Sequence, residues 1–175
     1  TTLEARRWSP EQLEKLAHTP QVAVAAVNTG GVPLPTDMLQ GHVEMTQSTH
    51  GVQRWVSQRN AEGLPALEWL LVERFGDRTL RLPSGEFGVA FRGGAESLPH
   101  VDADAVLAGE VTSTLVRDRY VLIGPPPHPL LPGVSTPTTS QMNILEFHGH
   151  TLNTLITETA ITSAPTGITY GLYAI

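Results

Sequence analysis

RYVLIGPPPHPLLPGVSTP occupies residues 119–137, and LEFHGHTLNTLI follows at 145–156. Tyr120–Gly124 is a short continuous apolar run of the kind that fills a strand buried on both faces. Pro125, Pro126 and Pro127 have no N–H for a ladder, so a sheet has to stop there. The second stretch crowds Glu146, His148 and His150 around Gly149. It then places Leu152, Leu155 and Ile156 at helical spacing, which predicts a helix with one apolar face. A strand followed at this distance by a packed helix points to a mixed α/β domain.

The rest of the chain continues the alternation. Ser9-Pro10 reads as an N-cap and first helical residue, with Gln12 as its capping-box partner and an end at His18-Thr19-Pro20. QVAVAAV (21–27) reads as a buried strand broken by Asn28-Thr29-Gly30-Gly31. HVEMTQSTHGVQRWVSQ reads as two strands turning at Ser48–Gly51. In the second of these, Val52, Arg54 and Val56 lie opposite Gln53, Trp55 and Ser57. LPALEWLLVERFG (64–76) spaces Leu67, Leu70, Leu71 and Phe75 for a helix and closes on Gly76 as a C′ glycine. RTLRLP and FGVAFRG read as a strand pair around Ser84-Gly85-Glu86. DADAVLAGE (102–110) reads as a short helix starting near Asp102. The expected architecture is a single domain over 1–175, α/β, with a mixed β-sheet and packed helices.

Composition excludes several functions. Eleven Lys and Arg against 17 Asp and Glu leave a net charge of −6, and the basic residues do not cluster. Such a surface repels phosphate backbones, so nucleic acid is not expected as a partner. With no cysteine, disulfides, thiolate catalysis and zinc ribbons are ruled out. No run of about 18 apolar residues is present to span a bilayer. The first ten residues lack a signal layout and an initiator Met, so the chain reads as a segment of something longer. The apolar ITYGLYAI (168–175) reads as the approach to a further strand or a membrane span.

Glu146, His148 and His150 are the metal candidates, and backbone geometry decides their worth. In a strand all three face one way. On a helix Glu146 and His150 share a face while His148 points elsewhere. A metal site needs three or four convergent ligands with supporting partners, so the favoured reading is a polar corner bonding local backbone, with no metal and no cofactor. Ser135 in GVSTP is the serine to test for acyl transfer, but it lacks the Gly-x-Ser-x-Gly elbow, and no spacing marks His128 or His148 as its base. A turn held by hydroxyls accounts for it better. Gly30-Gly31 and Gly93-Gly94 lack phosphate-loop context, and three prolines remove the donors a phosphate nest needs. Trp8, Trp55 and Trp69 fall in separate elements and read as core. Asp102 and Asp104, two apart on a helix, do not face each other.

Taken together, the two opening stretches resemble the second subtype of CHASE domains, the cyclase/histidine-kinase-associated sensory extracellular domains. Val121–Gly124, Thr136-Pro137, Glu146-Phe147-His148 and Leu152–Leu155 occur in that family's order and at similar spacing. GHVEMTQSTHGVQRWV (41–56) is similar to its hairpin ending in Gly-Val-x-Arg. GVAFRGG with DADAVLAGE is similar to its passage before the last strand. Ile144, Gly149 and His150 stand where the family has Gly, Ala and Asn. The resemblance covers about residues 20–160, without the family's usual first part, which suggests a shortened member or a fragment.

The resemblance implies the periplasmic sensor domain of a bacterial inner-membrane receptor, without catalysis of its own. Its partners would be an unidentified small-molecule or protein stimulus, its own transmembrane helices and a cytoplasmic output domain. That output would be a nucleotide cyclase, a diguanylate cyclase, or a histidine or Ser/Thr kinase. A homodimer is left open. Thr136, Glu146, His148 and His150 are the candidate ligand-binding residues. The alternative is a small metal-dependent or serine hydrolase built on Ser135, Glu146, His148 and His150.

Overall fold

The structure, a computed structural model, describes residues 11, 14–15, 23–25, 39–47, 50–77, 79–124 and 133–163. Most of the expected first helix, of which residues 11, 14 and 15 are described and helical, most of the expected strand at 21–27, Pro125–Pro127 and the apolar end at 168–175 lie outside these. The described strands form three small sheets. In the first, β1 (Ala23–Ala25) pairs in parallel with β2 (Leu39–Gly41). In the second, β4 (Gln53–Ser57) lies between β3 (Thr46–Gln47) and β5 (Glu86–Gly88), antiparallel to both. In the third, β6 (Val134–Thr136) and β7 (Thr139–Met142) form a hairpin. With helices α1 (Leu67–Phe75), α2 (Ala103–Leu107) and α3 (Ile144–Ile156), the mixed α/β single domain expected from the sequence holds.

α3 is the central element. Asn143 starts it, its side-chain oxygen accepting the Leu145 N–H at 2.7 Å, as an N-cap residue does. Phe147, His148, His150, Thr151, Leu152, Thr154 and Leu155 are all buried along it, which covers most of its circumference rather than one stripe. The threonines fit because their hydroxyls donate back to the carbonyls of Phe147 (3.0 Å) and His150 (2.8 Å), leaving no buried hydroxyl unpaired. Phe147 and Leu155 join Val56, Phe87, Val89, Met142, Trp69 and Val72 in one core, where α3 meets α1, β4 and β5. Ala90 N–H also donates to the Thr154 hydroxyl at 3.0 Å, fastening the segment after β5 to α3.

α1 has no side-chain cap at Ala66. Instead the chain after β2 supplies the acceptor, with Leu67 N–H donating to the His42 carbonyl at 2.9 Å. This close approach needs Gly41, since a Cβ there would lie 2.5 Å from the Leu67 Cα. After α3 the chain returns along β5, where Gly88 and Ile161 exchange backbone hydrogen bonds.

Several local expectations give way to tertiary contacts. Residues 79–83 of RTLRLP form no strand: β5 pairs with β4 instead, and Leu80 and Leu82 pack against the core from irregular backbone. Residues 120–124 are not a strand either, and Val121 and Ile123 are 54% and 88% exposed while Tyr120 and Leu122 pack inward. The run is half-buried, so its unbroken hydrophobicity misstates its environment. Gly76 does follow α1, but at φ −80° and ψ 179° it is extended rather than left-handed. Its small size is what matters, because a Cβ would meet the Val72 carbonyl at 2.4 Å. On α1 the buried residues are Glu68, Trp69, Leu70 and Val72; Leu70 and, packed against the core, Leu71 belong to the leucine stripe, while Glu68 and Val72 lie outside it. In β4, Gln53 and Val56 are both buried despite opposite expected faces. A register irregularity sets two residues of β4 against one step of β3, which breaks the alternation.

Candidate functional site

The helical geometry of α3 separates the three candidates as i, i+4 spacing requires: Glu146 and His150 lie on one side and His148 on another. Each side engages a different part of the domain.

On the first side, the Glu146 carboxylate gathers the loop at 96–98. Its two oxygens accept from Glu96 N–H (2.8 Å), Ser97 N–H (2.7 Å) and Leu98 N–H (3.3 Å), and from the Ser97 hydroxyl at 3.3 Å. Glu96 adopts a left-handed φ of 62°, the turn that lets consecutive N–H groups converge on one anion. Burial raises the Glu146 carboxyl, but the three backbone donors and the Ser97 hydroxyl outweigh it and hold the group below its ordinary value. The Ser97 hydroxyl also lies 3.1 Å from His150 Nε2. His150 is completely buried, 5.4 Å from the Phe91 ring between centroids. Its Nδ1 is buried without a hydrogen-bond partner. Burial pushes the His150 imidazole below its usual value, against the pull of the Glu146 charge. Gly149 makes room for the loop, since a Cβ would lie 2.5 Å from the Leu98 side chain.

On the second side, His148 Nδ1 is hydrogen-bonded to the Glu68 carboxylate of α1. Glu68 is 1% exposed, and a buried carboxylate persists where a directional partner compensates for lost water. Glu146 and His148 therefore fix α3 to two separate elements, one the exposed loop and the other the buried side of α1.

The remaining candidates stay apart from this cluster. Thr136 is buried at the β6–β7 turn, where its hydroxyl accepts from Thr139 N–H and donates to the Thr139 carbonyl. Ser135 lies half-buried in β6 and none of its hydrogen bonds involves Glu146, His148 or His150. The serine that does meet His150 is Ser97, which no sequence motif marked. Glu68 was missed for the same reason: its partner is 80 residues away in sequence.

The chemistry of the cluster is limited by its order. In a serine nucleophile triad the acid orients the base from the base's far nitrogen. Here Glu146 contacts the serine itself, and the far nitrogen of His150 has no partner. The backbone N–H groups beside Ser97 are already occupied by the Glu146 carboxylate, so they are not open to a developing oxyanion. Among the described residues no group of three or more His, Asp or Glu side chains is placed to hold a metal ion. Also among the described residues, no helix is long and apolar enough to cross a membrane.

A protein-family model described as the CHASE2 domain matches residues 5–172. The match extends beyond residues 20–160 at both ends. No curated protein matches the chain, and no solved structure does.

Proposed function

The chain belongs to the CHASE2 domain family, an extracytoplasmic sensory domain family, and on that premise we propose that it is the input module of a bacterial membrane signalling protein. Anchored on the periplasmic face of the inner membrane by its own transmembrane helices, it regulates a cytoplasmic output without catalysing a reaction. That output is a nucleotide or diguanylate cyclase, or a histidine or Ser/Thr kinase. The stimulus is a small molecule or a protein.

The observation that supports a sensing role is the position of α3. A few directional bonds tie its Glu146 to the loop at 96–98 and its His148 to α1. A stimulus that binds better to one arrangement of these elements shifts the population by its difference in affinity for the two. The carboxylate–serine–imidazole order argues against the hydrolase alternative.

Two measurements test this together. A thermal-shift screen of small molecules against the purified domain is expected to find ligands that raise the melting temperature, as binding to the native state alone does. The same ligands should change the output activity of the full-length protein, and Glu146→Gln should alter that response. Ester or peptide hydrolysis abolished by Ser97→Ala would overturn the reading. Stoichiometric zinc lost on His148→Ala would do the same.

A further inference from the structure

Among the described residues three histidines are buried, His42, His148 and His150, and their ring nitrogens are served differently. His42 accepts from the Glu44 N–H at 3.2 Å, and its other nitrogen lies 3.1 Å from the Ser57 carbonyl. His148 meets the Glu68 carboxylate, a bond that a protonated ring makes as well as a neutral one. His150 has the Ser97 hydroxyl at 3.1 Å from Nε2 and, among the described residues, no partner on Nδ1. A charged imidazole carries an N–H on both nitrogens. Protonating His150 where it sits would bury a positive charge and fix an N–H on Nδ1 with no acceptor, which water would supply outside.

The cover over this ring is thin. Ser97 is exposed while its hydroxyl touches the buried imidazole, so the loop at 96–98 separates the ring from solvent there. Leu98 rests on the bare backbone of Gly149, where a Cβ would lie 2.5 Å from its side chain. Phe91, from the segment after β5, closes another side with its ring centroid at 5.4 Å. The charge that bears on the imidazole is Glu146, one turn earlier on α3, which holds the same loop. Glu96 and His100 near the loop and Arg92 beside Phe91 are exposed, and Glu68 engages His148 on the other side of α3. We propose that the loop at 96–98 is an acid-released latch. In neutral solution uncharged His150 seats it against α3; protonation in acid draws the ring to water and frees the loop.

Burial outweighs the Glu146 attraction, so the covered imidazole charges below its ordinary value of 6.5. A ring that charges more readily with the loop open favours the open loop as pH falls. Closure is therefore fully present above 6.5. It weakens by up to about tenfold per pH unit below that, until the covered ring itself takes a proton. The latch goes beyond the sensory reading and does not depend on it; on that reading, protons become one stimulus of the domain.

The test is amide hydrogen exchange of the purified protein from about pH 7.5 to about pH 5, corrected for the intrinsic effect of pH. Protection at residues 96, 97 and 98 should fall by up to about tenfold per unit below 6.5. His150→Gln keeps a side-chain nitrogen for Ser97 but has no proton to gain, and should abolish that fall. Nitrogen-15 spectra of the wild-type imidazole need no substitution and should show His150 titrating below 6.5. Wild-type protection that stays flat overturns the proposal, as does an equal fall in His150→Gln or a ring that titrates at or above its ordinary value. Amides that open in acid while the output of the full-length protein ignores pH support the latch and count against the sensory reading.

Discussion

Replacing Glu146 with Gln tests whether this carboxylate holds the loop at 96–98. One carboxylate oxygen accepts from Glu96 N–H, and the other accepts from Ser97 N–H, Leu98 N–H and the Ser97 hydroxyl. A glutamine can keep its single oxygen on the second group, but its NH2 then meets the Glu96 N–H donor to donor. A hydrogen bond to a charged acceptor contributes about 1.5–3 kcal/mol. The loop is solvent-exposed, so water can replace part of what is lost, and about 1–2 kcal/mol is expected. For a domain of this size that lowers Tm by about 2–8 °C. The effect should depend on pH with a definite sign. Folding holds the Glu146 carboxyl below its ordinary value of 4.5. Its contribution is therefore fully present above that value and lost as pH falls through the lower folded value. Urea unfolding of wild type and variant should show the full difference at pH 7 and a shrinking one below about pH 5. Hydrogen exchange at the amides of residues 96, 97 and 98 should quicken in the variant. A stability difference that stays constant down to pH 3, or unchanged exchange at those amides, refutes the assignment.

Glu68→Ala removes one member of a buried pair and leaves His148 without its partner, so chemical denaturation should show a loss of about 3 kcal/mol or more. Replacing both residues with leucine should recover much of that loss, because an apolar pair of similar volume needs no hydrogen bonds there. Phe147→Ala empties a fully buried ring position at the centre of the core and should cost about 3–5 kcal/mol by the same assay. Gly76→Ala forces a Cβ to within 2.4 Å of the Val72 carbonyl. The end of α1 must shift, and a loss of about 2 kcal/mol is expected in thermal unfolding.

What could be read in advance was local. The α2 helix with Asp102 at its cap, the hairpin that turns between residues 47 and 53, and the helical run through Leu152 and Leu155 all appear in the structure. Each rests on signals that act within a turn or between adjacent strands. The errors share one cause. RTLRLP has a strand-like composition, but β4 had already found its partners in β3 and β5. The leucines of α1 suggested one stripe, while packing against α3 turned the helix so that Glu68 and Val72 faced inward. The β6–β7 hairpin around Thr136-Pro137 passed as a simple turn, although Val134, Thr136 and Thr139 are β-branched residues suited to strands.

The sequence by itself determined the mixed α/β class, the absence of thiol chemistry and the family resemblance. It also determined that, on a helix, Glu146 and His150 must share a face that His148 does not. These follow from composition and from the 3.6-residue period, which acts over a few residues. Only the tertiary structure decided that Glu146 collects the loop at 96–98, that His148 meets Glu68, and that Ser97 is the serine beside His150. Those partners lie 48 to 80 residues away in the chain. They are selected by how α3 packs among α1, β4 and β5, and no spacing along the sequence carries that information.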